Sequence, residues 1–134
     1  MAQTILDSRE EIIKLDKQNV LGSVEQLADQ IEDAWNGAKS VKVPAEYKAV
    51  KNIVVSGMGG SALGAHVIKT LYKDSLRQPL EVVNHYQLPA YVNSDTLVVL
   101  SSYSGSTEET LASAEDAKKR GAKIVVIAAG GKLL

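Results

Sequence analysis

The sequence predicts an α/β protein: a three-layer sandwich in which a parallel sheet carries helices on both faces, with further helices ahead of it. Three observations lead there. Four short runs rich in branched apolar residues, at 52–56, 80–83, 96–100 and 123–128, are separated by segments long enough to hold crossovers. That spacing means right-handed connections and parallel pairing. Two of the runs empty into polar, Gly-containing turns, Gly57-Met58-Gly59-Gly60-Ser61 and Ser101-Ser102-Tyr103-Ser104-Gly105-Ser106-Thr107, each followed by a helical stretch. Phe is absent, and the 45% hydrophobic content comes mainly from Ala, Val, Leu and Ile, which suits Val/Ile strands covered by Ala-rich helices.

The segments justify themselves in order. Residues 4–15 carry Ile5, Leu6, Ile12 and Ile13 at the spacing of a short amphipathic helix. Over 16–35, Val20, Leu21, Val24, Leu27, Ala28, Ile31, Ala34 and Trp35 recur at steps of three and four, which predicts one helix that Asn36-Gly37 ends. Trp35 lies on that stripe and reads as core or subunit interface. Pro44 and mixed charges make 39–49 a linker, so the expected division is an N-terminal helical segment, 1–45, and an α/β domain, 46–134. Strand 52–56 leads through its Gly-rich turn into a helix over 61–73, with Leu63, Val67, Ile68 and Leu71 on one face. Strand 80–83 is followed by a loop marked by Pro89. Strand 96–100 runs into the hydroxyl-rich turn and a helix over 111–120, which Gly121 stops. Strand 123–128 then empties into Ala129-Gly130-Gly131-Lys132.

Composition excludes several classes of function. The formal net charge is -1 and no basic cluster is present, so neither nucleic acid nor an acidic membrane is an expected partner. The absence of Cys excludes a disulfide scaffold, a thiolate metal site and a Cys nucleophile. There is no signal-like start and no apolar run near the length of a membrane span, which points to a soluble, cytoplasmic chain. His66 and His85 have no metal-ligand spacing to another His or carboxylate, and the expected site holds neither metal nor cofactor.

The hydroxyl turn carries the chemistry. Ser106 followed three residues later by Glu109 is a capping-box pattern, which puts a helix start, with its free N–H groups, inside the run of hydroxyls. A phosphate can be held there by Ser102, Ser104, Ser106 or Thr107 with backbone N–H groups and no Lys or Arg. In a doubly wound sheet, ligands sit beyond the carboxyl ends of the strands where the winding reverses. With the flavodoxin-like order, that crevice lies between the first and third strands. The Gly57–Ser61 and Ser101–Thr107 turns then form its two lips. The first turn also satisfies G-x-G-x-x-A, but the second strand ends Val82-Val83-Asn84-His85 without the acid a dinucleotide ribose needs. Glu108 and Glu109 read as first-turn acids favoured by the helix dipole rather than as bases. Lys132 reads as solvated.

These residues resemble a known family. Gly57-Met58-Gly59-Gly60-Ser61, Ser102-Tyr103-Ser104-Gly105-Ser106-Thr107-Glu108-Glu109-Thr110 and Gly130-Gly131-Lys132-Leu133 are similar to the first sugar isomerase (SIS) domain of bifunctional phosphoglucose/phosphomannose isomerases, over about residues 52–134. Ser106 stands where that family usually has Asn, and Lys132 where it usually has Arg. The resemblance implies a SIS-like fold in which Ser61, Ser102, Ser104 and Thr107 hold the phosphate of a hexose 6-phosphate, while Gly59 and Gly60 let the backbone close in. Family enzymes interconvert aldose and ketose phosphates through an enediol. They carry two such domains, with the base and ring-opening groups largely in the second, so no catalytic residue is assigned here. The implied partner is a homo-oligomeric copy or a second SIS domain. A phosphosugar-sensing module and a structural or assembly domain are the alternatives of different class.

Overall fold

The computed structural model describes residues 4–134 and divides into two compact units, one ending at Val43 and the other Pro44–Leu134. Three helices make up most of the first: α1 (Arg9–Leu15), α2 (Val20–Glu25) and α3 (Leu27–Lys39). The single helix expected over 16–35 is therefore divided at Gln26, although the ladder carries across it, from Gln26 N–H to the Gly22 carbonyl and from Gln30 N–H to the Gln26 carbonyl. Gly37 does not end α3. A glycine stops a helix by turning left-handed, and Gly37 is not among the positive-φ residues; the chain leaves the helix at Ser40, whose N–H and Oγ both donate to the Gly37 carbonyl. The stripe is not core: Val20, Val24, Leu27, Ile31 and Trp35 are all exposed, and the Lys39 ammonium stands 5.5 Å from the centre of the Trp35 ring.

The second unit is built on a four-stranded parallel sheet: β1 (Asn52–Gly57), β2 (Leu80–Val83), β3 (Thr96–Ser101) and β4 (Lys123–Ile127), in the order β2-β1-β3-β4. This is the flavodoxin-like order expected from the sequence. Helix α4 (Gly60–Leu71) connects β1 to β2, and α5 (Glu108–Lys119) connects β3 to β4. Strand side chains alternate between faces. Ser56 bonds Ser113 of α5, whereas Ser101, in register with Gly57, donates to the Ser61 carbonyl of α4, so the two helices cover opposite faces.

The α5 face is the better sealed. Val54, Val83, Val98, Leu100 and Ala117 form a buried cluster there, completed by Leu88 and Val92 from the segment 84–95 that crosses from β2 to β3 without a helix. On the other face, buried Ala62 and Ala65 let α4 lie close to the sheet, while its outer residues Leu63, Val67, Ile68 and Leu71 are exposed. Among the described residues no helix is long and apolar enough to cross a membrane.

Candidate functional site

At the carboxyl ends of β1 and β3 the winding reverses, and two loops face each other there. The first leaves β1 at Gly57. A Cβ on Gly57 would stand 2.9 Å from the Ser101 carbonyl, so the close approach of the two strand ends requires glycine. Asn84 Nδ2, from the end of β2, donates to the Gly57 carbonyl at 2.7 Å. Gly59 then takes φ 52, ψ −125 to turn the chain into α4. Behind it Ser61 N–H donates to the Met58 carbonyl and Ala62 N–H to the Gly59 carbonyl, both at 3.1 Å, which closes the first turn of α4.

The second loop is organised by its own hydroxyls. Ser102 is buried, and its Oγ accepts from Gly105 N–H at 3.1 Å and lies 2.8 Å from Thr107 Oγ1 and 3.5 Å from Ser104 Oγ. Ser104 is exposed, and its Oγ accepts from Ser106 N–H at 3.2 Å. The N-cap of α5 is Thr107, not Ser106, and it makes no side-chain cap bond. The Ser106–Glu109 capping box expected from the sequence is therefore not formed. Thr107's hydroxyl is engaged with Ser102, and Glu109 lies in the first turn of α5 two residues beyond that cap. The first-turn N–H groups of Glu108, Glu109 and Thr110 have no carbonyl within the helix to bond.

One residue joins the two loops. Ser61 Oγ accepts from Tyr103 N–H at 3.3 Å, while its carbonyl accepts from Ser101 Oγ at 2.8 Å. A third loop then braces the second. Ala129 N–H donates to the Tyr103 carbonyl and Leu133 N–H to the Gly105 carbonyl, at 3.0 and 3.1 Å. Gly105 at φ 63 and Gly131 at φ 78 bring the two backbones so close that a Cβ on either would collide with the other loop.

Of the residues expected from the sequence, Ser102, Ser104 and Thr107 thus form one hydroxyl cluster. Gly60 and Ser61 line an open pocket of ≈ 670 Å³ beside it, whereas Gly59 is exposed and does not line that pocket. The other walls of that pocket are Met58, Ser101, Tyr103 and Ile127, over Ala128 and Ala129. No charged side chain lines it. Lys132 is exposed in the short turn Gly131–Leu133 and faces a different groove, with Leu111 and Val126.

Tyr86 was not singled out by the sequence. Its hydroxyl donates to Glu108 Oε2 at 3.3 Å, and the carboxylate of Glu109, then burial and Glu108, hold the phenol above its ordinary value. The only available signal was its position just past β2, at the same carboxyl end of the sheet as the other loops. His66 and His85 are both exposed, and no metal-binding group of three or more His, Cys, Asp or Glu occurs among the described residues.

A family model described as SIS domain matches residues 46–132, well over half of the chain. The chain belongs to the SIS domain family. Among curated relatives, this SIS domain is 45% identical over 111 residues to a bifunctional phosphoglucose/phosphomannose isomerase of Caldicellulosiruptor bescii, covering 83% of this chain and 33% of the relative. It is 38% identical over 112 residues to the protein of the same description from Aquifex aeolicus, covering 83% of this chain and 35% of the relative. The chain thus spans about a third of the length of the curated relatives it matches. In structure the SIS domain resembles a crystal structure from Salmonella typhimurium provisionally named as a phosphosugar isomerase, with TM-score 0.56 and 17% identity over 69% of this chain and 33% of the other. That likeness shows the fold.

Proposed function

We propose that this SIS domain binds a hexose 6-phosphate as the phosphosugar-binding part of an aldose-ketose isomerase of the phosphoglucose/phosphomannose type. Ser61, Ser102, Ser104 and Thr107 hold the phosphate, with Gly59 and Gly60 admitting it to the backbone. The observation that carries this reading is the meeting of the Ser102–Ser104–Thr107 hydroxyl cluster with the open first turn of α5, at the point where the winding reverses.

A phosphate dianion needs donors, and hydroxyls and N–H groups supply them without a counter-cation. Hydroxyls that bond one another here can turn their hydrogens to the ligand. The first strand-loop contributes Ser61, which supports a ligand shared between both lips.

The reading assigns no catalytic base to these residues, and it needs no cofactor or metal. The remaining groups come from a second SIS domain or a second copy of the chain, in a cytoplasmic protein whose sheet domain begins near residue 46. Calorimetric titration with glucose 6-phosphate, fructose 6-phosphate and unphosphorylated glucose tests it. Expected is saturable binding of the two esters and none of glucose, with little turnover in a coupled isomerase assay of the chain alone. A folded protein that binds neither ester overturns the proposal in favour of a structural domain.

A further inference from the structure

Tyr103 stands between Ser102 and Ser104 with its side chain turned out to solvent: it is 84% exposed. Looseness of the loop does not account for this. Its N–H donates to Ser61 Oγ and its carbonyl accepts from Ala129 N–H, so the backbone is pinned on both sides. An aromatic ring on a fixed mount is a surface prepared for contact. The contact it offers is specific, because Tyr103 lines the ≈ 670 Å³ pocket, together with Met58, Ile127, Ser61 and Ser101. A concave, mostly apolar space with a few hydroxyls is the usual form of a small-molecule site.

Ser61 belongs to this pocket and also to the phosphate-holding set, so a phosphate held by the two loops delivers whatever it esterifies to the pocket mouth. A hexose chain or ring presents C–H faces edged by hydroxyls. The C–H face suits an aromatic ring, and the hydroxyls suit Ser61 and Ser101. We propose that Tyr103 is a specificity-determining residue that receives the carbon skeleton of the phosphosugar on its ring. This rests on the phosphate reading above, and it adds a subsite for the sugar rather than for the phosphate.

The test titrates wild type, Tyr103→Phe and Tyr103→Ala with glucose 6-phosphate and separately with inorganic phosphate, followed by amide-resolved NMR, with thermal melts confirming folding. Expected for Tyr103→Ala is roughly 3- to 10-fold weaker binding of the sugar ester, the span of a typical aromatic contact, with inorganic phosphate affinity unchanged. Tyr103→Phe should keep the wild-type affinity for both. Equal loss for both ligands in Tyr103→Ala would make the residue a loop brace and overturn the inference. So would unchanged sugar affinity, or a Tyr103→Phe variant as weak as Tyr103→Ala. A wild type that binds neither ligand fails differently, since it removes the phosphate reading itself and this subsite with it.

Discussion

Ser102 and Ser104 lie two residues apart and have different surroundings. The Ser102 hydroxyl is buried among Thr107, Gly105 N–H and Ser104, whereas Ser104 is exposed and its hydroxyl is free to rotate toward a ligand. Ser104→Ala should therefore weaken hexose 6-phosphate binding by about 10- to 150-fold, the equivalent of one hydrogen bond to a charged group at roughly 1.5–3 kcal/mol, with the melting temperature nearly unchanged. Titration beside thermal melts checks it. Ser113→Ala should do the reverse. Ser113 is fully buried on α5 and its Oγ accepts from Ser56 Oγ at 2.9 Å, so its loss strands a buried hydroxyl at a cost of about 1–3 kcal/mol. Removing both partners in Ser56→Ala/Ser113→Ala should recover part of that stability. A third residue sets a pH dependence. Tyr91 donates to Glu81 Oε2 at 2.6 Å, and burial, then that carboxylate, push its phenol up to about 12. An unfolded tyrosine loses its proton near pH 10. Between about pH 10 and 12 the unfolded state therefore releases a proton that the folded state keeps, and stability falls as pH rises through that window. Tyr91→Phe should show a shallower loss of melting temperature there, by a modest margin because the ring is 43% exposed.

The hydroxyl loop and the turn after β4 are held together backbone to backbone, and both glycines at the contact have left-handed φ. Gly105→Ala adds a methyl group directed at the Gly130 carbonyl, as well as backbone strain on the order of 1–3 kcal/mol. Expected are a clear drop in melting temperature and loss of phosphosugar binding together, unlike the separated effects at Ser104 and Ser113; a variant with wild-type melting would show that the two loops do not meet. Much of this architecture was legible in the sequence. Strands of Val and Ile joined by helix-length crossovers leave few topologies, and β2-β1-β3-β4 is the one that sets the two polar loops on facing lips. Hydroxyl-rich chemistry marked the second loop directly. What local pattern did not carry was the tertiary partner. Ser106 and Glu109 match a capping box, yet Thr107 is the cap, because a hydroxyl contact to Ser102 positions it. At the start of α2 the cap bonds are local: the carboxylate of Asp16 accepts from Leu21 and Val20 N–H and has its pKa lowered by them, while Asn19 stands at the N-cap in left-handed geometry with no side-chain bond. The apolar pocket beside Tyr103 needs Ile127 of β4 next to β3, which only the strand order supplies.

Apolar surface left open is a property of the chain as it folds here. Leu63, Val67 and Leu71 on α4 are 63%, 54% and 72% exposed, and the α2–α3 stripe from Val20 to Trp35 is exposed as well. Contiguous patches of this kind mark contact sites, and β2 and β4 each present an unpaired edge. Sedimentation should show association growing from low to high micromolar concentration, with a strict monomer at high micromolar concentration as the contrary result. A different consequence attaches to the bracing of the hydroxyl loop. Its partners are the Ile127 carbonyl, which accepts from Ser102 N–H, and the N–H groups of Ala129 and Leu133. All three are made by the ribosome after α5, so at about 5–20 residues per second the loop, which until then has only Ser61 and its own hydroxyls to bond, waits on the order of seconds for this bracing. On the function proposed above, a phosphosugar therefore meets a fully braced loop only after the last strand and its turn have been made.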